Sequence, residues 1–207
     1  MKVYLYLLNT LADWEIGFIT AELTSKRYFK NKNEECALIK IGNTRESIKT
    51  MGGIAITPDM TIEKINLNKE DILILPGADT WLNKENENAL FIAKNYIERD
   101  YNVAAICGAT IGLGRIGALN NKMHTSNSKE YLKMICPDYS GEGKYQEKPA
   151  VCDQNLITAT GLAPLEFTFE IIQQLKIFKK ETLSAWYSLY ITKEAKYYFE
   201  LMNSLKN

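Results

Sequence analysis

The sequence has no long apolar run and no excess of charge of either sign. No stretch reaches the roughly 18 consecutive apolar residues that a membrane-spanning helix needs. The 207 residues carry 25 basic and 25 acidic side chains, so long-range electrostatics favour neither a nucleic acid nor an anionic membrane as partner. The chain begins with the strand-like run Val3–Leu8 and lacks the small-residue cleavage site of a signal peptide. We therefore expect a cytoplasmic protein that binds neither nucleic acid nor membrane.

Histidine is scarce, and the cysteines show no metal-binding spacing. His124 is the sole histidine, and Cys36, Cys107, Cys136 and Cys152 form no C-x-x-C pair. A zinc site is therefore not expected, and we expect no organic cofactor. In a reducing cytosol the four cysteines should be free thiols.

Short apolar runs alternate with longer segments of helical periodicity. The strand-like runs are Val3–Leu8, Cys36–Ile41, Asp71–Leu75, Val103–Ile106 and, less regular, His124–Ser126. Two hairpins are predicted, one pairing Ser47–Thr50 with Ile54–Thr57 and one pairing Pro149–Cys152 with Leu156–Ala159. The principal predicted helices cover 13–29, 89–99, 164–175 and 183–205. This alternation predicts one flavodoxin-like α/β domain over residues 1–207, a three-layer sandwich around a mainly parallel sheet.

The segment Val103–Thr110 carries the sharpest chemical signal. A buried strand runs directly into a helix, and Cys107 stands at the junction, followed by Gly108 and Ala109. Small residues let the backbone turn sharply, as in a nucleophile elbow. A cysteine at a helix N-terminus gains thiolate character from the exposed N–H groups. The alternative is a buried core cysteine at the end of a strand.

Four short motifs occur in order along the chain, at Leu11–Glu15, Ile72–Ala78, Ala105–Ala109 and Thr160–Phe167. In this order they resemble the ThiJ/PfpI superfamily, whose fold is similar to class I glutamine amidotransferases. The first lies where that family has an acidic residue, and the second resembles its strand that ends in Pro-Gly-Gly. The third resembles its nucleophile motif, and the fourth resembles its late glycine-rich turn. The resemblance implies that Cys107 is the nucleophile or oxidisable thiolate and that Glu15 reaches its sulfur. It also implies that the N–H groups of Gly77 and Gly108 stabilise an oxyanion.

The residues themselves leave the role of Glu15 open. A carboxyl group beside a thiolate should be protonated and could act as a general acid. It could equally be a solvated acid in the first helical turn, which the helix dipole favours. Asp13 is the nearby competitor, and we expect it to be the N-cap of that helix.

One departure from the resemblance concerns histidine. Many members have a histidine just beyond the elbow helix, whereas here Ser126 or Asn127 aligns with that position. His124 lies two or three residues earlier, and in a strand it would share a face with Ser126. It could therefore approach Cys107, or it could be a locally hydrogen-bonded histidine. Without a Cys–His pair, hydrolysis lacks its usual base.

The remaining candidates are weaker. Cys36 and Cys152 are expected in the core, while Cys136 could be exposed or buried. Arg115 could meet an anion near the site or lie on the surface. The aromatic residues among the last 25 could pack on the domain or form a homodimer contact.

Three functions are open. The first is an enzyme in which Cys107 attacks a small carbonyl or amide substrate, with a glyoxalase-, deglycase- or amidase-like activity, as the resemblance implies. The second is a cysteine redox sensor or stress-response protein without turnover, because an exposed low-pKa thiol oxidises readily. The third is a binding domain in which Cys107 is inert.

Overall fold

The computed structural model describes residues 1–206, in which strands and helices alternate. The strands are β1 Lys2–Leu7, β2 Ala37–Gly42, β3 Ile48–Lys49, β4 Ala55–Ile56, β5 Met60–Thr61, β6 Ile72–Leu75, β7 Asn102–Ile106, β8 Ala150–Asp153 and β9 Leu156–Ala159. The helices are α1 Asp13–Ser25, α2 Glu87–Glu98, α3 Gly108–Arg115, α4 Lys129–Ile135, α5 Pro164–Leu175, α6 Lys180–Thr192 and α7 Ala195–Ser204. Three short 3-10 turns lie at 62–64, 84–86 and 142–144.

Seven strands form one sheet in the order β5-β2-β1-β6-β7-β9-β8. Every neighbouring pair is parallel except β8 and β9. The central strands β6 and β7 are buried along their whole length, as expected for a sheet covered on both faces. The carboxyl ends of β1, β6 and β7 therefore meet at one edge of the sheet, where open α/β sheets bind ligands.

Helices cover both faces of the sheet. Helices α1 and α5 pack together on one side, with α6 and α7 outside them, and α2 and α3 pack against β7 with α4 against α3. The predicted three-layer α/β sandwich with a mainly parallel sheet is confirmed. The two predicted hairpins are also present, as β3–β4 and β8–β9.

Three local predictions are corrected. His124–Ser126 is not a strand, because His124 forms only an isolated parallel bridge with Tyr145. The predicted last helix is two helices, since Lys193 adopts a left-handed conformation (φ 60°) that ends α6. The edge strand β5 was not predicted, because two residues are too short to show a period.

Helix α6 is joined to α1 by aromatic packing. Trp186 packs edge-on against Phe18 and donates its Nε1–H to the buried carboxylate of Glu22 at 3.0 Å. Tyr198 and Phe199 on α7 are exposed. Part of the aromatic surface is thus used within the chain, and the expected homodimer contact stays a prediction.

None of the helices within residues 1–206 combines the length and apolar character that crossing a membrane requires. The cytoplasmic location and the single-domain organisation stay predictions.

Candidate active site

Cys107 lies at the junction of β7 and α3 with an unusual backbone conformation. Its φ of 56° and ψ of −123° lie outside the helical and extended regions, which costs a non-glycine residue about 1–3 kcal/mol. The next residue, Gly108, lies too close to the backbone of Ala78 for a side chain, because a Cβ there would lie 2.5 Å from the Ala78 carbonyl oxygen. The half-buried thiol therefore stands above the sheet edge, a geometry consistent with the predicted nucleophile elbow.

Glu15 lies against Cys107 from the first turn of α1. Its side chain is completely buried, and Oε2 accepts a hydrogen bond from the Gly77 N–H at 2.6 Å. The other oxygen, Oε1, faces the sulfur and has no hydrogen-bond partner of ordinary geometry among the described residues. An ionised, buried carboxyl oxygen without a donor is costly, which favours uptake of a proton at Oε1.

Asn127 also contacts the sulfur of Cys107. Its Nδ2–H donates to Cys107 Sγ at 3.2 Å, while its Oδ1 accepts from the Gly161 N–H at 2.8 Å. Gly161 itself touches the thiol, since a Cβ there would lie 2.7 Å from Sγ. Trp14 Nε1 donates to the Gly161 carbonyl oxygen at 3.3 Å. Of the two residues that aligned with the histidine of the family, Asn127 is therefore the one that meets Cys107.

The titration of Cys107 and Glu15 is coupled. Burial raises the pKa of Glu15, and the Gly77 hydrogen bond opposes that rise. Burial also raises the pKa of the Cys107 thiol, as does the charge of Glu15, whereas Asn127 and the Gly108 N–H oppose the rise. The lowered pKa expected from the helix N-terminus is thus corrected, because burial outweighs it. The thiolate forms most readily when Glu15 carries the proton, since repulsion is then removed.

The backbone donors differ from those expected. The Gly77 N–H is committed to Glu15 and is not free for an oxyanion, which corrects the expected role of Gly77. The Ala78 N–H has no acceptor among the described residues, and it lies beside Gly108. Ala78 and Gly108 therefore offer backbone N–H groups in the lining of the cleft that holds Cys107. No separate sequence signal marks Ala78 beyond its position after Pro76-Gly77.

His124 does not belong to this cluster. Its buried ring bonds to the Lys122 carbonyl oxygen through Nδ1 at 2.7 Å and to Tyr139 Oη through Nε2 at 2.6 Å. Burial lowers the pKa of His124. Both ring nitrogens are thus used away from Cys107, and the expected approach of His124 to the site is corrected.

Asp13 also has a different role from the one expected. Ala12 is the N-cap of α1, and the Asp13 carboxylate instead accepts from the Gly52 N–H at 2.7 Å. Its hydrogen bond with Thr50 is the main cause that lowers the pKa of Asp13. Asp13 therefore ties the tip of the β3–β4 hairpin to α1.

The other sequence candidates lie outside the cluster. Cys136 is buried, whereas Cys36 and Cys152 are only half-buried, which corrects their expected place in the core. Arg115 donates to the Leu82 carbonyl oxygen at 3.0 Å and lies 4.0 Å from Glu87. Its guanidinium group is thus engaged at the outer rim.

The glycines of α3 have a packing role. Gly112, Gly114 and Gly117 match the spacing G-x-G-x-x-G, but the first two lie inside the helix rather than in a loop that opens one. A Cβ at Gly112 would meet Leu90 at 2.8 Å, and one at Gly114 would meet Leu132 at 2.6 Å. The spacing therefore reflects close packing of α3 rather than a phosphate loop.

Cys107, Glu15 and Asn127 open into one cleft of about 220 Å³. Trp81 and Ile111 line it on the inside, and Trp14, Met51, Leu82 and Tyr131 form an exposed rim. One cleft thus holds a thiol, a buried carboxyl group and the N–H groups of Ala78 and Gly108, a combination suited to the addition of sulfur to a carbonyl carbon.

The fold and this cleft define an α/β protein with a cysteine at a sheet-edge site. A model of the DJ-1/PfpI family matches residues 1–174, and the chain belongs to that family. The chain is 44% identical to a Bacillus subtilis (strain 168) protein described as the uncharacterized protease YoaZ, over 99% of this chain and 97% of the relative. It is 32% identical to a second, described as the uncharacterized protease YdeA, over 96% of this chain and 95% of the relative.

Solved structures agree with this assignment. A ThiJ/PfpI family protein from Bacillus anthracis superposes with a TM-score of 0.96 at 44% identity, over 100% of this chain and 97% of the other. The DJ-1 superfamily protein Atu0886 from Agrobacterium tumefaciens superposes with a TM-score of 0.81 at 28% identity, over 93% and 98% of the two chains. The resemblance seen in the sequence motifs is therefore confirmed at the level of family and fold.

Proposed function

We propose that this protein is an enzyme in which Cys107 attacks small carbonyl or amide substrates, in a glyoxalase-, deglycase- or amidase-like reaction. The observation that carries the proposal is the thiol at the strand–helix junction, facing the Oε1 of a fully buried Glu15 within an open cleft. The description of two relatives as proteases supports a hydrolytic reaction.

Proton transfer within the pair starts the reaction. Glu15 takes the thiol proton at Oε1, which leaves a neutral carboxyl group next to the thiolate. The sulfur then attacks the carbonyl carbon, a C–S bond forms, and the carbonyl π pair moves to the oxygen. The N–H groups of Ala78 and Gly108 donate to that oxyanion. The Asn127 amide holds the sulfur in place but cannot accept its proton.

The two substrate classes complete the reaction differently. An α-oxoaldehyde gives a hemithioacetal when the oxyanion takes the proton of Glu15. The carbon-bound proton then moves from the sulfur-bearing carbon to the neighbouring carbonyl carbon, and the hydroxyl proton moves to the oxygen on that carbon, which leaves a thioester of a 2-hydroxy acid. An amide gives a tetrahedral adduct. The amine leaves with the proton of Glu15, and a thioester again remains on Cys107. Water cleaves either thioester to a carboxylic acid and restores the thiol, so neither route needs an external oxidant or reductant.

A redox sensor is the second candidate, and the amide at the histidine position favours it. Asn127 can stabilise a thiolate or an oxidised sulfur by donating a hydrogen bond, but it cannot serve as a base. Peroxide would oxidise the sulfur as an S–O bond forms and the O–O bond breaks, with water as the reduced product. After mild peroxide treatment, intact mass should show oxygen added at Cys107. Its absence would remove this candidate.

A turnover screen tests the enzymatic proposal. Wild type, Cys107→Ala and Cys36→Ala would be assayed against a panel of α-oxoaldehydes and amides. Cys36 is the matched control, because it is also half-buried but lies away from the cleft. We expect activity in the wild type and in Cys36→Ala and its loss in Cys107→Ala. Turnover retained by a pure Cys107→Ala preparation would overturn the proposal.

A further inference from the structure

The rim of the Cys107 cleft is larger and more apolar than a two- or three-carbon substrate requires. Trp14, Met51, Leu82 and Tyr131 line the cleft and remain 54%, 42%, 38% and 44% exposed. Exposed apolar side chains gathered around one cavity mark a binding surface. A small carbonyl compound bonded to Cys107 would leave most of this surface in water.

Hydrogen bonds hold two parts of the rim, the hairpin tip that carries Met51 and the ring of Trp14. Met51 stands at the tip of the β3–β4 hairpin, where its N–H donates to the Leu11 carbonyl oxygen at 2.9 Å. The Asp13 carboxylate holds the adjacent Gly52 N–H. Trp14 is fixed through its Nε1–H to Gly161. These contacts form a preorganised wall beside the sulfur.

The cleft carries no positive charge of its own. Among residues 1–206, its lining includes no lysine, arginine or histidine, and its acidic side chains are Glu15 and Asp79. Arg115 is turned to the Leu82 carbonyl oxygen and to Glu87. A carboxylate or phosphate on the substrate would lose water near Asp79 without gaining a cationic partner.

We propose that the cleft selects uncharged substrates that carry a large apolar, preferably aromatic, group next to the reacting carbon, and that it discriminates against anionic ones. The four rim residues supply the apolar surface for this preference, and Asp79 together with the lack of a cation in the lining supplies the discrimination against anions. The inference rests on the proposed reactivity of Cys107 and names the substrate class for it.

Alkylation of Cys107 tests the charge preference without any need for turnover. Iodoacetamide and iodoacetate would be compared by their second-order rates at Cys107, located by mass spectrometry and divided by their rates with N-acetylcysteine. In both reactions an S–C bond forms, iodide leaves and the thiol proton goes to buffer. Because both reagents meet the same thiolate, its pKa cancels in the ratio. We expect the neutral reagent to be favoured by about threefold or more, since repulsion from one charge several Å away is of that size.

Matched variants assign the preference to the rim. Met51→Lys should raise the normalised iodoacetate-to-iodoacetamide ratio about threefold, because it places a cation at the cleft. Met134→Lys makes the same change at an exposed methionine outside the lining and should leave the ratio unaltered. N-phenylmaleimide should exceed N-methylmaleimide by about fivefold after the same normalisation, from the apolar surface buried. Tyr131→Ala should reduce that preference, and Tyr198→Ala on α7 should not.

The outcomes distinguish a failure of this inference from a failure of the proposed function. If Cys107 reacts but the normalised ratios are near one in the wild type, the proposed substrate preference is wrong, while the proposed reactivity of Cys107 is retained. If Met51→Lys and Met134→Lys shift the charge ratio equally, the rim does not set it and the inference fails. If no reagent labels Cys107, the proposed function and the inference fall together.

Discussion

The side-chain amide of Asn127 donates to the sulfur of Cys107 at 3.2 Å, at the position where the family resemblance led us to expect histidine. An amide can stabilise a thiolate, but it has no basic nitrogen to take the thiol proton. A base would therefore have to be another group, and the unpaired Oε1 of Glu15 faces the sulfur. We propose that Cys107 and Glu15 act as a pair and that Asn127 orients the sulfur.

Replacing the Asn127 donor should make the thiolate harder to form. Asn127→Asp keeps an oxygen acceptor for the Gly161 N–H but exchanges the donor at the sulfur for a negative charge. The midpoint of Cys107 alkylation against pH should rise by about one pH unit, which corresponds to about 1.4 kcal/mol. Asn66→Asp adds the same charge at an exposed site and should leave the midpoint unchanged. An unchanged midpoint in Asn127→Asp would remove Asn127 from the site.

A methyl group at Gly161 should slow the alkylation of Cys107. In Gly161→Ala the new Cβ would lie 2.7 Å from Cys107 Sγ and 3.3 Å from Glu15 Oε1. The side chains must move apart, at a cost of about 1–3 kcal/mol in the free energy of unfolding. Gly143→Ala is the control, because nothing lies within 4 Å of its Cβ. Alkylation rates and urea unfolding would check this, and a normal Cys107 rate in Gly161→Ala would contradict the geometry.

His124 should be a structural residue with no effect on Cys107. His124→Ala removes a buried ring that bonds to Lys122 and Tyr139, and it should lower the free energy of unfolding by about 1–3 kcal/mol. The alkylation midpoint of Cys107 should not move. A shifted midpoint in a folded His124→Ala would restore histidine to the mechanism.

The buried carboxyl of Glu15 should make stability depend on pH. Burial raises the pKa of Glu15 in the folded state above its unfolded value of about 4.3. Below the unfolded pKa both states are protonated and there is no penalty. Between the unfolded and the folded pKa the folded state binds more protons, so stability falls as pH rises through that window.

Glu15→Gln removes this contribution, because every other carboxyl group is shared by the two proteins. Urea unfolding from pH 4 to pH 8 should show the wild type losing stability relative to Glu15→Gln as pH rises. A difference that stays constant, or that grows in favour of the wild type, would contradict a raised pKa for Glu15.

Much of the site could be predicted from the order of motifs. Strands β1, β6 and β7 precede Glu15, Gly77 and Cys107 and are parallel neighbours, so their carboxyl ends meet at one edge. The match of Ala105–Ala109 to a nucleophile motif then picked out the cysteine. The family and the three-layer fold followed from the same pattern.

The remainder depends on tertiary contacts that leave no period in the sequence. Whether Gly77 is a free donor depends on where the Glu15 carboxyl turns, and Asn127 reaches the sulfur because its loop returns to Gly161. His124 points to Tyr139 because the predicted strand around it is only a single bridge. The pKa of Cys107 follows from its burial in the assembled cleft, which outweighs the local effect of the helix N-terminus.

The most direct test of the Cys107–Glu15 pair is the rate of Cys107 alkylation against pH in the wild type and in Glu15→Gln, with the label located by mass spectrometry. Removal of the carboxylate charge should lower the midpoint and speed labelling near neutral pH, while turnover falls because the proton acceptor is lost. Identical midpoints in the two proteins would contradict the coupling on which the account depends.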